Sequence, residues 1–282
     1  MPVPKVNLGE GPVWDVQEQA LYWIDILGKA VYRYDFASGA SRNWSVPTIV
    51  GSMAVREQGG LIVSLVDGVY TLDTDTGQCA PLATHPNLDE TVQLADGKVD
   101  RAGRFVVGAS DRAMKQALGG MYSLSHGVLT PVDDDIILAN GPCWSPDNTT
   151  LYHADSRRQC IYAYDYELAT GKVSHRRPWM STEQLGGMPD GMTVDAEGYV
   201  WCAICEGGKV VRFDPSGKPE RVIDMPVKLP TSVMFGGPDL DLLFVTTLSP
   251  AFLGRPVDPQ DGCLFVIEGL GVKGLPEPRY HG

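Results

Sequence analysis

Leu8-Gly9-Glu10-Gly11-Pro12-Val13-Trp14-Asp15 is the stretch that decides how this chain folds, because it returns. It comes back as Ala139-Asn140-Gly141-Pro142-Cys143-Trp144-Ser145 and again as Pro189-Asp190-Gly191-Met192-Thr193-Val194-Asp195. Each copy sets an oxygen-bearing side chain before a glycine, then a short apolar run, then Asp or Ser and a turn. Glu10, Asn140 and Asp190 therefore hold one position in three copies of a repeat.

A second phrase repeats more often. Val31-Tyr32-Arg33-Tyr34-Asp35 alternates apolar and polar residues and ends in an acid. Its counterparts end at positions 73, 125, 165, 214 and 268, a period of roughly 40 to 50 residues. Alternation of this kind reads as a strand. Each copy follows a hairpin whose turn carries Gly, Pro, Asn or Asp, such as Gln58-Gly59-Gly60 and Pro146-Asp147-Asn148. Most copies add a fourth run, such as Asn43-Trp44-Ser45-Val46. Six copies of four strands predict an all-β fold, a six-bladed β-propeller with four-stranded blades, in one domain over residues 1–282. A β-sandwich is the runner-up, but it does not explain six copies of one phrase. The fourth run of the last copy is weak, so Lys5–Leu8 is expected to close the ring. Two connections exceed turns, 111–118 and 249–261. Long loops on a rigid ring are where specificity resides.

Composition narrows the function. With 23 Lys and Arg against 35 Asp and Glu the net charge is −12. That excludes the basic footprint of a nucleic-acid binder and disfavours an anionic membrane surface. No apolar run is long enough to span a bilayer, and the first residues lack the apolar core of a signal peptide. Five of the six cysteines fall in apolar, strand-like text, which points to free thiols in a reduced, cytoplasmic protein.

The first strand of each propeller blade lines the central channel, and the residue before it stands at the channel mouth. Counting back from Trp14 and its equivalents, the six mouth positions are Glu10, Gly51, Ala95, Asn140, Asp190 and Thr231. Two carboxylates and an amide carbonyl then converge on the axis. Facing carboxylates repel and raise each other's pKa; a hard divalent cation relieves this, and oxygen ligands suit Ca²⁺, Mg²⁺ or Mn²⁺. Three protein ligands leave coordination positions open, as in catalytic sites. Read singly, each of the three is ordinary turn chemistry beside glycine; the shared register is what favours a metal.

These segments resemble the senescence-marker-protein, gluconolactonase and luciferin-regenerating-enzyme family. Further matching stretches are Asp96-Gly97-Lys98-Val99-Asp100-Arg101-Ala102-Gly103-Arg104 and the tail Gly269-Leu270-Gly271-Val272-Lys273-Gly274-Leu275. The resemblance implies a six-bladed propeller with one divalent metal, held by Glu10, Asn140 and Asp190, and hydrolysis of a small-molecule lactone. Ca²⁺ is the first choice; Zn²⁺, Mn²⁺, Mg²⁺ and Fe²⁺ are alternatives. There is one departure. Family members acting on sugar lactones commonly read Arg-x-Asn-Asp-Gly-Lys before the third blade, where this chain has Gln93-Leu94-Ala95-Asp96-Gly97-Lys98. Metal binding should survive that change, while recognition of sugar hydroxyls should weaken in favour of a less polar lactone.

Asp190 is the candidate general base, with a hydroxide on the metal as the rival. Gln93 and Asp111 are candidate substrate contacts, although each also reads as a solvated loop residue. Two other functions keep the same fold: a metal-dependent esterase or phosphotriesterase, and a non-catalytic calcium-binding propeller. Cys202-Ala203-Ile204-Cys205 has redox-motif spacing, but residues three apart in a strand face opposite sides of the sheet, so it reads as core. The five histidines show no metal-ligand spacing. The strand tryptophans read as packing between blades.

Overall fold

Strands that are apolar on both faces need a neighbour on each side, and a ring of sheets supplies it. A computed structural model describes residues 3–85 and 91–282 of the chain. Among the described residues it is built from antiparallel sheets, with short 3₁₀ turns as its only helical segments. Six sheets form the blades of a β-propeller. Their first strands, Gly9–Asp15, Val50–Val55, Val92–Val99, Ala139–Trp144, Met188–Val194 and Pro230–Gly236, pack on one another around the axis. We number the blades 1 to 6 in chain order.

Blades 1 to 5 have four strands each, paired in sequence order from the axis outward. Blade 6 has three: Pro230–Gly236, Leu242–Thr247 and Phe265–Ile267. The Lys5–Leu8 segment does reach blade 6, as its sequence suggests, but through a single antiparallel bridge from Leu8 to Leu248. Hydrogen bonds from Val6 N to Gly262 O (3.0 Å) and from Ser249 N to Asn7 O (2.8 Å) flank that bridge.

The core is divided among the seams between blades. Met53, Leu61 and Val63 of blade 2 pack on Ile24 and Val31 of blade 1. Leu151 and Tyr164 of blade 4 meet Val106 and Met121 of blade 3. The tryptophans sit at these seams as expected. Trp14 of blade 1 stacks on Phe244 of blade 6 with centroids 5.8 Å apart, and Trp201 of blade 5 meets Phe235 of blade 6 edge-on at 5.6 Å. Each fully buried aromatic or aliphatic side chain contributes about 1.5–3 kcal/mol. All six cysteines are free. Cys202 packs in the seam between blades 4 and 5 and Cys205 joins a different cluster, so the C-x-x-C pair faces two ways.

The two ends of the channel differ. At the end where the first strands finish, residues 269–282 run beneath the blades. Gly274 bridges to Asp195 of blade 5, and Gly274 N donates to Leu240 O of blade 6 at 2.8 Å. Arg279 binds Asp15 of blade 1 through two hydrogen bonds (2.7 and 2.8 Å). Tyr280 N donates to Val55 O of blade 2 at 2.8 Å, and His281 N to Gly103 O of blade 3 at 3.1 Å. The tail thus ties five blades together. The opposite end, where the first strands begin, carries the loop after Asp111 and the loop 249–261. No helix among the described residues is long and apolar enough to cross a membrane.

Candidate metal centre at the channel mouth

Each first strand breaks its ladder near the mouth. The register slips between Glu10 and Val13, Val50 and Ser52, Leu94 and Gly97, Asn140 and Cys143, Pro189 and Met192, and Pro230 and Ser232. Every slip falls at, or directly beside, the mouth position expected from sequence. A bulge turns a side chain out of the pleat, and here it lets the residue before each apolar run face the axis. Gly11 and Gly141 follow Glu10 and Asn140 at φ 50° and 57°, a region that glycine enters without a steric penalty. Gly51 serves differently: a Cβ there would lie 2.6 Å from Leu94 O and 2.8 Å from Ala95 O, so blade 2 contributes no side chain at its mouth position.

Hydrogen bonds pass from blade to blade around this ring. Ser52 Oγ donates to Ala95 O (2.8 Å), Ser156 Oγ to Pro189 O (2.6 Å) and Thr231 Oγ1 to Gly9 O (2.5 Å). Asn140 Nδ2 donates to Ser156 Oγ at 2.9 Å. Its nitrogen is thereby committed, and Oδ1 is the atom left to serve a ligand. Glu10 is 5% exposed and takes a 2.7 Å hydrogen bond from Gly11 N on Oε2. Asp190 is half-buried and lies within hydrogen-bond reach of the Glu10 carboxyl and the Cys205 thiol.

Electrostatics mark the mouth as strained. Burial, then the charges of Asp190 and Asp96, hold the Glu10 carboxyl well above the usual range. Burial and the Asp96 charge push Asp190 up to about 8, against the opposing effect of its hydrogen bonds with Glu10 and Cys205. Two buried carboxylates that cannot both ionise cheaply are a place for a proton or a cation. The Cys205 thiol, raised by burial and by Asp190, stays protonated and donates. Among the described residues no three of His, Cys, Asp and Glu gather into a metal cluster. The donor set at the mouth is two carboxylates and one amide oxygen, all hard, and it fits a Ca²⁺-like ion that completes its shell with water or substrate.

The candidate substrate residues part company. Gln93 is half-buried and pairs with Ser110 just before the register slip at Ala95. Asp111 is 3% exposed. Its carboxylate accepts backbone N–H groups from Ala113 (3.1 Å), Lys115 (2.9 Å) and Gln116 (2.8 Å). Those bonds lower its pKa and commit both oxygens to shaping the loop, so a direct substrate contact there would have to break them.

Sequence reasoning passed over Asp96. It sits one residue beyond the mouth position Ala95, is 8% exposed, and lies close enough to both Glu10 and Asp190 to raise them. Asp-Gly reads locally as a hairpin turn, which hid it. The signal that could have found it is its place inside an uninterrupted strand pattern, 92–99. Lys98 was also overlooked; its Nζ crosses the channel to Met192 O at 2.8 Å.

A ring of six antiparallel blades, five of four strands and one of three, with hard oxygen donors at one end of the axis, defines the class: a β-propeller with a candidate cation site at its mouth. Within that class, residues 8–249 match the SMP-30/Gluconolactonase/LRE-like region, and the chain belongs to that family. It is 36% identical to regucalcin of Gallus gallus, across 99% of this chain and 96% of that one. Among solved structures it is similar to a luciferin-regenerating enzyme (27% identity, TM-score 0.91, 99% of this chain and 97% of the other). It is equally similar to regucalcin of Agrobacterium tumefaciens, a calcium-binding protein (28% identity, TM-score 0.91, 99% and 95%).

Proposed function

We propose that this protein is a metal-dependent lactonase, opening a cyclic ester to its hydroxy acid at the channel mouth. What supports the proposal is that Glu10 and Asp190 interact and are both raised, with Asn140 at the matching bulge of blade 4. Membership of a family whose description includes gluconolactonase supports the reaction class.

Glu10, Asn140 and Asp190 would hold the ion. A bound divalent cation supplies Lewis acidity, polarising the lactone carbonyl and making water more acidic. The chain supplies the rest. Asp190 takes a proton as the water oxygen bonds to the carbonyl carbon, and a proton returns to the ring oxygen as the acyl C–O bond breaks. Cys205 donates to Asp190 and restrains its carboxylate.

The substrate is a lactone with an apolar substituent. Ala95 brings no hydrogen bond to the mouth. Leu27, Met114, Leu118, Phe252, Leu253 and Val257 are exposed, and all lie in connections on the mouth side.

The test is lactone hydrolysis by chelator-stripped protein with single metals restored, pairing alkyl-substituted lactones with aldonolactones. Metal-restored turnover favouring the alkyl set is expected. Turnover of aldonolactones alone would withdraw the substrate class, and saturable Ca²⁺ binding without turnover of any lactone would favour a binding protein, as the name of the bacterial relative implies for that relative. With Asp190→Asn, normal turnover at full metal occupancy would remove Asp190 as base.

A further inference from the structure

We infer that Asp96 is a positioning residue that sets the cation affinity of the mouth without being a ligand, and that Lys98 opposes it; the inference rests on the metal reading above. Each oxygen of Asp96 is held by a backbone N–H, one of them from another blade. Gly97 N donates to Oδ1 and Gly141 N to Oδ2, each at 2.8 Å. The second bond crosses from blade 3 to blade 4 and grips the residue directly after Asn140. Gly141 stands at φ 57°, and a Cβ there would lie 2.8 Å from Asp190 O. Blades 3, 4 and 5 therefore meet at one peptide, and Asp96 fixes it. That peptide holds the backbone from which the Asn140 side chain leaves, and Ser156 holds its Nδ2.

The charges add a second argument. Fully ionised, as a bound cation requires, Glu10, Asp96 and Asp190 would bring three negative charges to the mouth. Lys98, whose charge acts on Asp96, brings one positive charge and is anchored on Met192 O. The remainder is two negative charges, which a divalent ion neutralises and a monovalent ion does not. Carboxylates that hold metal ligands in place typically change affinity by about 10- to 100-fold when removed.

The experiment is calorimetric titration of the chelator-stripped full chain with Ca²⁺, comparing wild type, Asp96→Asn, Lys98→Met and Glu10→Gln. Asp96→Asn should weaken Ca²⁺ by about 10- to 100-fold yet keep one bound ion per chain. Lys98→Met should tighten it, because a repelling charge is lost. A merely structural role predicts weakening in both, so the opposite signs are the decisive readout, and Lys98→Met preserves the test if Asp96→Asn folds poorly. Affinity within twofold of wild type for Asp96→Asn overturns the inference. Binding abolished by Asp96→Asn as fully as by Glu10→Gln also overturns it, by making Asp96 a ligand. Wild-type protein that binds no Ca²⁺ overturns this inference together with the metal reading, whereas wild-type binding lost in Glu10→Gln but unchanged in Asp96→Asn overturns this inference alone.

Discussion

The same inner strands bury acids at both ends, and the two ends treat them differently. Below, Asp15, Asp100 and Asp195 close the turns after their strands. Each has an arginine: Arg279 on Asp15 at 2.7 Å, Arg104 on Asp100 at 2.8 Å and Arg212 on Asp195 at 2.8 Å. Each also accepts backbone N–H groups from its own turn. Burial pushes Asp15 up, but the hydrogen bonds from Arg279 and Glu18 N outweigh it and hold the carboxyl below its ordinary value. Above, Glu10, Asp96 and Asp190 face one another with Lys98 as the one cation acting on Asp96, and all three are raised. Burial alone does not make an acid functional. The lower acids are satisfied and serve the fold, while the upper ones are left in a state that a cation would relieve.

The comparison breaks most visibly at the lower end. Asp195 accepts from Trp201 Nε1 (2.9 Å) and Arg212 Nε (2.8 Å), and Arg212 is 4% exposed. Asp195→Ala removes the buried acid from that guanidinium, leaving it Glu197 (2.6 Å) and Glu220 (3.1 Å), and should cost about 1–3 kcal/mol in chemical denaturation, with Ca²⁺ affinity per folded molecule unchanged. At the upper end the sign reverses. Glu10→Gln should raise the thermal midpoint of metal-free protein at pH 8, because a repelling charge is removed, while weakening Ca²⁺ by more than about 100-fold. An unchanged midpoint and unchanged affinity would erase the distinction between the two ends.

Acidity sharpens the contrast. Asp190 rises from its ordinary value to about 8 in the folded chain, and Glu10 rises with it. The native state then binds more protons than the unfolded state between those limits, so stability falls as pH climbs through them. Metal-free protein should lose thermal stability steadily from pH 5 to 8, and saturating Ca²⁺ should restore it most at the alkaline end. A midpoint that is flat or rising over that range in metal-free protein contradicts the raised pair. The smallest effect is expected for Arg279→Ala, which loosens the tail from Asp15 and should cost about 1–3 kcal/mol, read by denaturation and by faster proteolysis near residue 279.

Much of this was legible in the sequence. The alternation of Val31–Asp35 and its five counterparts carries the strand positions, and the shared place of Glu10, Asn140 and Asp190 before a glycine and an apolar run carries the mouth. What escaped depends on contacts between blades, which local pattern does not encode. Asp96 appeared only within a matching stretch; its contact with Gly141, forty-five positions away in the chain, is not written in local pattern. Asp111 looked available until the loop N–H groups were seen to surround it. The tail matched a motif, yet its passage under five blades could not be read from the residues. Lys5–Leu8 does meet blade 6, but the extent of its pairing is set by Gly262 and Ser249 rather than by its own alternation.

The central claim is that the mouth holds one divalent cation on three oxygens. A crystal structure grown with Ca²⁺, with Mn²⁺ exchanged for anomalous contrast, tests it most directly. The account predicts one peak on the channel axis, about 2.3–2.6 Å from the Glu10 carboxylate, Asn140 Oδ1 and the Asp190 carboxylate, with Asp96 outside that shell. A mouth without a peak at millimolar metal, or an ion bound elsewhere while Glu10 and Asp190 share a proton, contradicts it.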